Sequence, residues 1–268
     1  MKIGICSSEP KQFKHIAECG YDYIEMNFSV IANATDEQFA EIKKSVLSCG
    51  LRVEATNGHF PGDFKLYSYD ETTGEARDFS EIEANVREYN ERGYSRAQEL
   101  GVRVSVVGSG TARRIPDGLK REVAEEQFAR VLEICGEVAA KYGAEIVIEP
   151  LNHNETNFIN TLEEGLEMCK RTNSPHVFVL NAFYHSNIEN EPIEMLSRAG
   201  KLLKHTHICT FDRLCPTLEA NGDELIPLVK ALKATGYEGR MSYECMYKPD
   251  FNTAIENAVS LADVLRKV

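Results

Sequence analysis

Four apolar segments of the chain run into residues that can hold a cation or move a proton. EIVIE ends in Glu149, VFVLN ends in Asn181, HTHIC carries His207 and MSYEC carries Glu244. Two carboxylates, an imidazole nitrogen and an amide oxygen make a mixed donor set suited to a divalent metal ion such as Mn²⁺, Co²⁺, Mg²⁺ or Zn²⁺. With His207 and Asn181 neutral, the two glutamates balance the double charge of one ion. A polar rim of solvated residues is the plain alternative, and the fold decides between the two.

The elements that must position these residues are written in a recurring phrase. An amphipathic segment ends at a glycine, and a β-branched or apolar run follows within one or two residues, around Gly20, Gly50, Gly101, Gly143 and Gly236. Glycine suits the position after a helix because that residue commonly turns left-handed. With KIGIC, HVFVLN and HTHICT added, the phrases predict strands at 2–6, 22–28, 52–57, 103–108, 145–150, 176–181, 205–210 and 240–245. Between them, Phe39, Ile42 and Val46, and later Ile255, Ala258, Ala262 and Leu265, follow helical spacing. Thr35 with Gln38 and Thr161 with Glu164 have the spacing of capping boxes.

Strict alternation of strands and helices implies a parallel sheet, either open and doubly wound or closed. No G-x-G-x-x-G follows the first strand, and polar residues end many strands instead. Both features favour an α/β fold of the (β/α)8 TIM barrel type, a single domain over residues 1–268 with its site at the C-terminal strand ends. Alternation then predicts that Val147 accompanies Glu149 inward, Val177 and Val179 accompany Asn181, and Ser242 accompanies Glu244. The segments 58–78 and 109–118 fall on the same face as functional loops.

A formal net charge of -12 opposes a phosphate backbone, so no nucleic acid is expected as partner. No apolar run of membrane-spanning length occurs, and none resembles a signal peptide. The eight cysteines lack a C-x-x-C pair and read as reduced thiols, Cys6, Cys209 and Cys245 among them as buried ones. The expectation is a cytoplasmic protein without membrane contact, with a homo-oligomer left open.

Loop residues add further candidates. Arg113 and Arg114, after Gly108-Ser109-Gly110, either grip a phosphate or are solvated charges. His59, in NGHFPG, contacts a substrate or hydrogen-bonds within its loop. His205, inward beneath His207, reads as a support.

The order Glu149, Asn181, His207, Glu244, together with NGHFPGDFKL and GSGTARRIPDG, resembles the sugar isomerases and epimerases with a xylose isomerase-like barrel, including the ketose 3-epimerases. That resemblance implies a metal-dependent isomerase or epimerase acting on a small-molecule carbohydrate, a sugar or sugar phosphate, by proton transfer through an enediolate. It implies metal ligation by Glu149, Asn181, His207 and Glu244, with Glu149 and Glu244 also exchanging protons on opposite substrate faces. Glu155, six residues past Glu149, and Arg213, six past His207, match the family's substrate contacts, and His185 joins them. In this chain Asn181 stands where the family has aspartate, and NAFYHSNIE sets His185 one residue out of the family's phrase. A noncatalytic sugar-binding or regulatory barrel is therefore the second reading. An endonuclease IV-type repair enzyme is the third, disfavoured by too few histidine and aspartate ligands.

Overall fold

A computed structural model describes residues 1–172 and 174–268. Eight parallel strands close in sequential order: β1 (Lys2–Cys6), β2 (Tyr23–Asn27), β3 (Val53–Asn57), β4 (Val104–Val107), β5 (Glu145–Ile148), β6 (Val177–Ala182), β7 (Leu203–Ile208) and β8 (Arg240–Tyr243), with β8 pairing back onto β1. Helices cover the outside. They are α1 (Phe13–Glu18), α2 (Phe28–Asn33), α3 (Asp36–Cys49), α4 (Ser80–Leu100), α5 (Gly110–Arg113), α6 (Arg121–Lys141), α7 (Leu162–Thr172), α8 (Phe183–Ile188), α9 (Met195–Ala199), α10 (Leu218–Ala234) and α11 (Phe251–Lys267). No helix of the described residues is long and apolar enough to cross a membrane.

The glycines that mark the αβ junctions have φ between 74° and 107°, the left-handed conformation the phrase requires. The Thr35–Gln38 capping box is complete. Thr161 Oγ1 accepts from the Glu164 N–H, but the Glu164 carboxylate turns to the Asn160 N–H, so that box is half made. Phe39, Ile42 and Val46 are buried, as are Ile255, Ala258, Ala262 and Leu265. β7 begins at Leu203, two residues ahead of the predicted start, because a short 3-10 turn at Gly200–Leu202 leads straight into it.

Two apolar populations define the faces of the sheet. Val104, Val106, Val147, Leu180 and Ala182 pack together inside the barrel, whereas Ile146, Ile148, Val177 and Val179 join the core shared with the helices. Val147 is thus inward as expected, and Val177 and Val179 are not. On β6 the inward set is Leu180 and Ala182, and Ala182 pairs with His207 while Asn181 pairs with Thr206. The extra residue in β7 opposite Val179 and Leu180 leaves the alternation of β6 intact and sets this register. Glycines let two large groups pass: a Cβ on Gly4 would meet the Tyr23 ring, and one on Gly108 would lie 2.5 Å from Glu149 Oε2.

Candidate active site at the strand ends

Glu149 and Glu244 directly follow β5 and β8, and His207 lies near the end of β7, all inward. His207 stands at the centre. Its Nδ1 is 3.0 Å from Glu149 Oε1 and 3.2 Å from Glu244 Oε2, and its Nε2 is 2.9 Å from Glu25 Oε1. The donor atoms of Glu149, His207 and Glu244 lie within 4.8 Å of one another, close enough to share one ion. Glu25 accepts from the Nε2–H, so that Nδ1 would be free to ligate an ion held with the two glutamates, the carboxylate–histidine arrangement found behind metal ligands. Oxygen and imidazole donors of this kind suit a divalent ion. Beside them the buried Asn57 Oδ1 has no partner among the described residues, while Asn57 Nδ2 donates to Glu244 Oε1 at 3.1 Å.

Charge is concentrated here out of water. Burial works to lower the His207 pKa, but Glu244, Glu25 and Glu149 outweigh it and hold the imidazole well above its ordinary range. A proton on His207 thus offsets the negative charge of the cluster. Glu25 feels burial most, which raises its carboxyl, yet His207 and His205 together hold it below the usual carboxylate range. The two strand-end glutamates are driven apart. Burial and then Glu244 push Glu149 up, whereas at Glu244 the upward push of burial is exceeded by His207, which holds it down.

Glu25 is a candidate site residue that the sequence pattern did not single out. It is fully buried on β2 and joins His205 Nε2 at 2.8 Å, His207 Nε2 and the Ser242 hydroxyl. The signal was an acidic residue within the apolar strand YIEMN. His205 is the support it was read to be. Cys6 also lies near Glu25 and His207, but burial, then Glu25, raises its thiol, which stays protonated.

Asn181 does not enter the cluster. It shares strand parity with the outward Val177 and Val179, and among the described residues its amide makes no hydrogen bond to Glu149, His207 or Glu244. The inward position opposite His207 is Ala182, which has no donor atom. β6 therefore contributes none of the close donors.

Glu155 and Arg213 do come together at the rim, with Arg213 Nη1 2.6 Å from Glu155 Oε1 and Nη2 4.0 Å from Glu244 Oε2. The Arg213 guanidinium lies 4.8 Å from the Tyr184 ring centre. Arg213 adopts φ 63°, strained for a residue with a side chain, and two main-chain bonds hold it there, from its N–H to Thr210 and from Met246 to its carbonyl. His185 is buried at the start of α8 and accepts from Asn152 at Nδ1.

Two loop candidates have other work. His59 lies behind the sheet, stacked on Phe28 at 4.2 Å, with Nδ1 2.9 Å from Ser105 Oγ and Nε2 3.0 Å from Asn90 Oδ1. Burial lowers its pKa to about 3. It is a packed structural imidazole pointing at α4, not a substrate contact. Arg113 is neither a phosphate grip nor a solvated charge. It is wholly buried, and its fork donates to the carbonyls of Val107, Glu149, Phe158 and Ile159. It clamps the backbone of Glu149 to the end of β4. Arg114, by contrast, is exposed and donates to the Glu155 carbonyl.

Comparisons with known proteins agree with this fold. An Escherichia coli (strain K12) protein named 3-dehydro-D-guloside 4-epimerase is 28% identical over 238 residues, 87% of this chain and 86% of the relative. A D-psicose 3-epimerase of Ruminiclostridium cellulolyticum is 26% identical over 238 residues, 85% of this chain and 75% of its own. Among solved structures, an apo 3-keto-D-glucoside 4-epimerase from E. coli aligns with TM-score 0.77 and 25% identity over 98% of this chain and 99% of that one. The family described as xylose isomerase-like TIM barrel matches residues 13–268, and the chain belongs to it.

Proposed function

We propose that this protein is a metal-dependent sugar epimerase or isomerase that moves a proton on a carbon beside a carbonyl. The observation that carries the reading is the pair of carboxylates, buried Glu149 and partly exposed Glu244, facing one imidazole nitrogen with their pKa values pushed in opposite directions. One carboxyl pushed up and its neighbour held down suit a proton donor paired with a proton acceptor. Relatives named as epimerases of psicose and of a 3-dehydro-guloside point to a keto-sugar or keto-glycoside as substrate.

A divalent ion on Glu149, His207 Nδ1 and Glu244 would supply the electrophile that stabilises an enediolate. The chain's own residues do the rest. One of the two strand-end glutamates takes the proton from the reacting carbon, and the other returns one to the opposite face. Glu25 orients the His207 ring. Arg213 and Glu155, paired at the rim, hold sugar hydroxyls, and Arg113 keeps Glu149 in place from behind.

The noncatalytic sugar-binding reading rests on one specific observation, the donor-free Ala182 opposite His207. Calorimetric titration of Mn²⁺ into stripped protein separates the two. Glu149→Gln and Glu244→Gln are expected to lower affinity at least tenfold, Ala182→Asp to raise it by adding a fourth donor, and Asn181→Asp to leave it nearly unchanged. No binding by wild type or by Ala182→Asp would move the noncatalytic reading ahead.

A further inference from the structure

The protonation site of His185 is set by a group that cannot change its role. The backbone N–H of Asn152 donates to His185 Nδ1 at 3.2 Å, and the Asn152 side-chain nitrogen lies 2.8 Å from the same atom. A backbone N–H is only ever a donor, so Nδ1 must present its lone pair. The orientation of the Asn152 amide is fixed independently, because its Oδ1 accepts from the Asn154 N–H at 3.0 Å. The amide nitrogen is therefore the atom left to face the ring. Both residues are buried, at 1% and 2% exposure, so water does not compete for these bonds.

Nothing comparable occupies the other nitrogen. Among the described residues His185 Nε2 has no hydrogen-bond partner, and the charged groups around the ring are Glu244, Arg213, His207 and Arg113. Three of those can be cationic, and burial opposes a further positive charge. We propose that Asn152 is a positioning residue that locks His185 as the neutral Nε2–H tautomer, so that the ring offers the strand-end site a hydrogen-bond donor and not a base. The ligand chemistry this fits is an oxygen carrying partial or full negative charge, a ketone or enediolate oxygen. That last step rests on the proton-transfer reading above, whereas the tautomer itself does not.

The main chain of the same residue couples two parts of the site. Asn152 accepts at its carbonyl from the N–H groups of Glu155 and Thr156, so the loop that aims Glu155 at Arg213 also dictates the His185 proton. An aspartate at 152 keeps the backbone donor to Nδ1 and the acceptor for Asn154 but sets a carboxylate oxygen against the Nδ1 lone pair, which repels the ring from its place without moving its proton.

Long-range proton–nitrogen NMR of ¹⁵N-histidine-labelled protein at pH 7 reads the tautomer, with His185→Gln used to assign the signal. Wild type is expected to show His185 protonated at Nε2 and bare at Nδ1, and Asn152→Asp, whose backbone N–H remains, to show the same pattern with a shifted ring signal. Protonation at Nδ1, in wild type or in Asn152→Asp, would overturn the proposal. Should Asn152→Asp fail to fold, the wild-type spectrum alone still decides. In a turnover assay, Asn152→Asp is expected to lose kcat by roughly ten- to a hundredfold with KM little changed. A correct tautomer in a protein that turns over no sugar would leave this inference standing and remove the epimerase reading.

Discussion

Glu25 and Ala182 differ in chemistry yet were hidden for the same reason: what they do depends on which way one side chain points. An acidic residue inside YIEMN is unremarkable until the barrel closes and sets it against His205 and His207. Alanine offers no chemical signal at all, so the last polar residue of VFVLN drew the ligand assignment one position too early. Glu149, His207 and Glu244 were legible because carboxylate and imidazole at successive strand ends have few other uses. The Glu25 contact has a measurable consequence. Glu25→Gln keeps an acceptor near Nε2 but removes the charge, and Mn²⁺ affinity is expected to fall about ten- to a hundredfold, as when other carboxylates behind metal-bound histidines are altered. Equal affinity by titration would show that Glu25 serves only packing.

At the scale of elements, the glycine-to-strand phrase located β2, β3, β4, β5 and β8, because a left-handed residue after a helix is a local necessity that the sequence must declare. Strand phase is not local. It is fixed by pairing, and the irregularity in β7 next to Val179 and Leu180 has no mark in the residues themselves. The loop after β4 shows the same limit. Arg113 and Arg114 are neighbours of one type, yet one threads between β4, β5 and the 150–160 loop while the other faces water. Removing a buried fork that serves four carbonyls takes away their charged donor, although Val107 and Ile159 each keep a main-chain donor, at a cost of about 3 kcal/mol. Arg113→Met is expected to lose roughly that much stability in urea unfolding, whereas Arg114→Met should stay within ~0.5 kcal/mol of wild type. Comparable losses from both would refute the clamp.

The whole molecule carries its neutral histidines as a pH dependence of folding. His59 is held neutral with its pKa lowered to about 3 by burial, against 6.5 as its ordinary value. Below 6.5 the unfolded chain binds a proton that the folded protein refuses, so this contribution is intact above that pH and is lost as pH falls toward 3. The loss is about 1.4 kcal/mol per pH unit, or roughly 2 kcal/mol by pH 5. His59→Gln should be less stable at pH 7 but show a flatter decline between pH 6.5 and 5, and parallel curves would contradict the assignment.

The closed barrel itself was readable from strict strand–helix alternation and from polar strand ends, since only closure gathers such ends around one axis. The proposed outcome of that gathering is proton transfer between Glu149, Glu244 and a keto-sugar, and solvent isotope reports on it directly. Keto-sugars and 3-keto-glycosides incubated with Mn²⁺-loaded protein in D₂O, followed by NMR, should take up one solvent deuterium at the carbon that epimerises, and Glu149→Gln and Glu244→Gln should abolish the uptake. Epimerisation with complete retention of the original hydrogen would contradict transfer through these carboxylates.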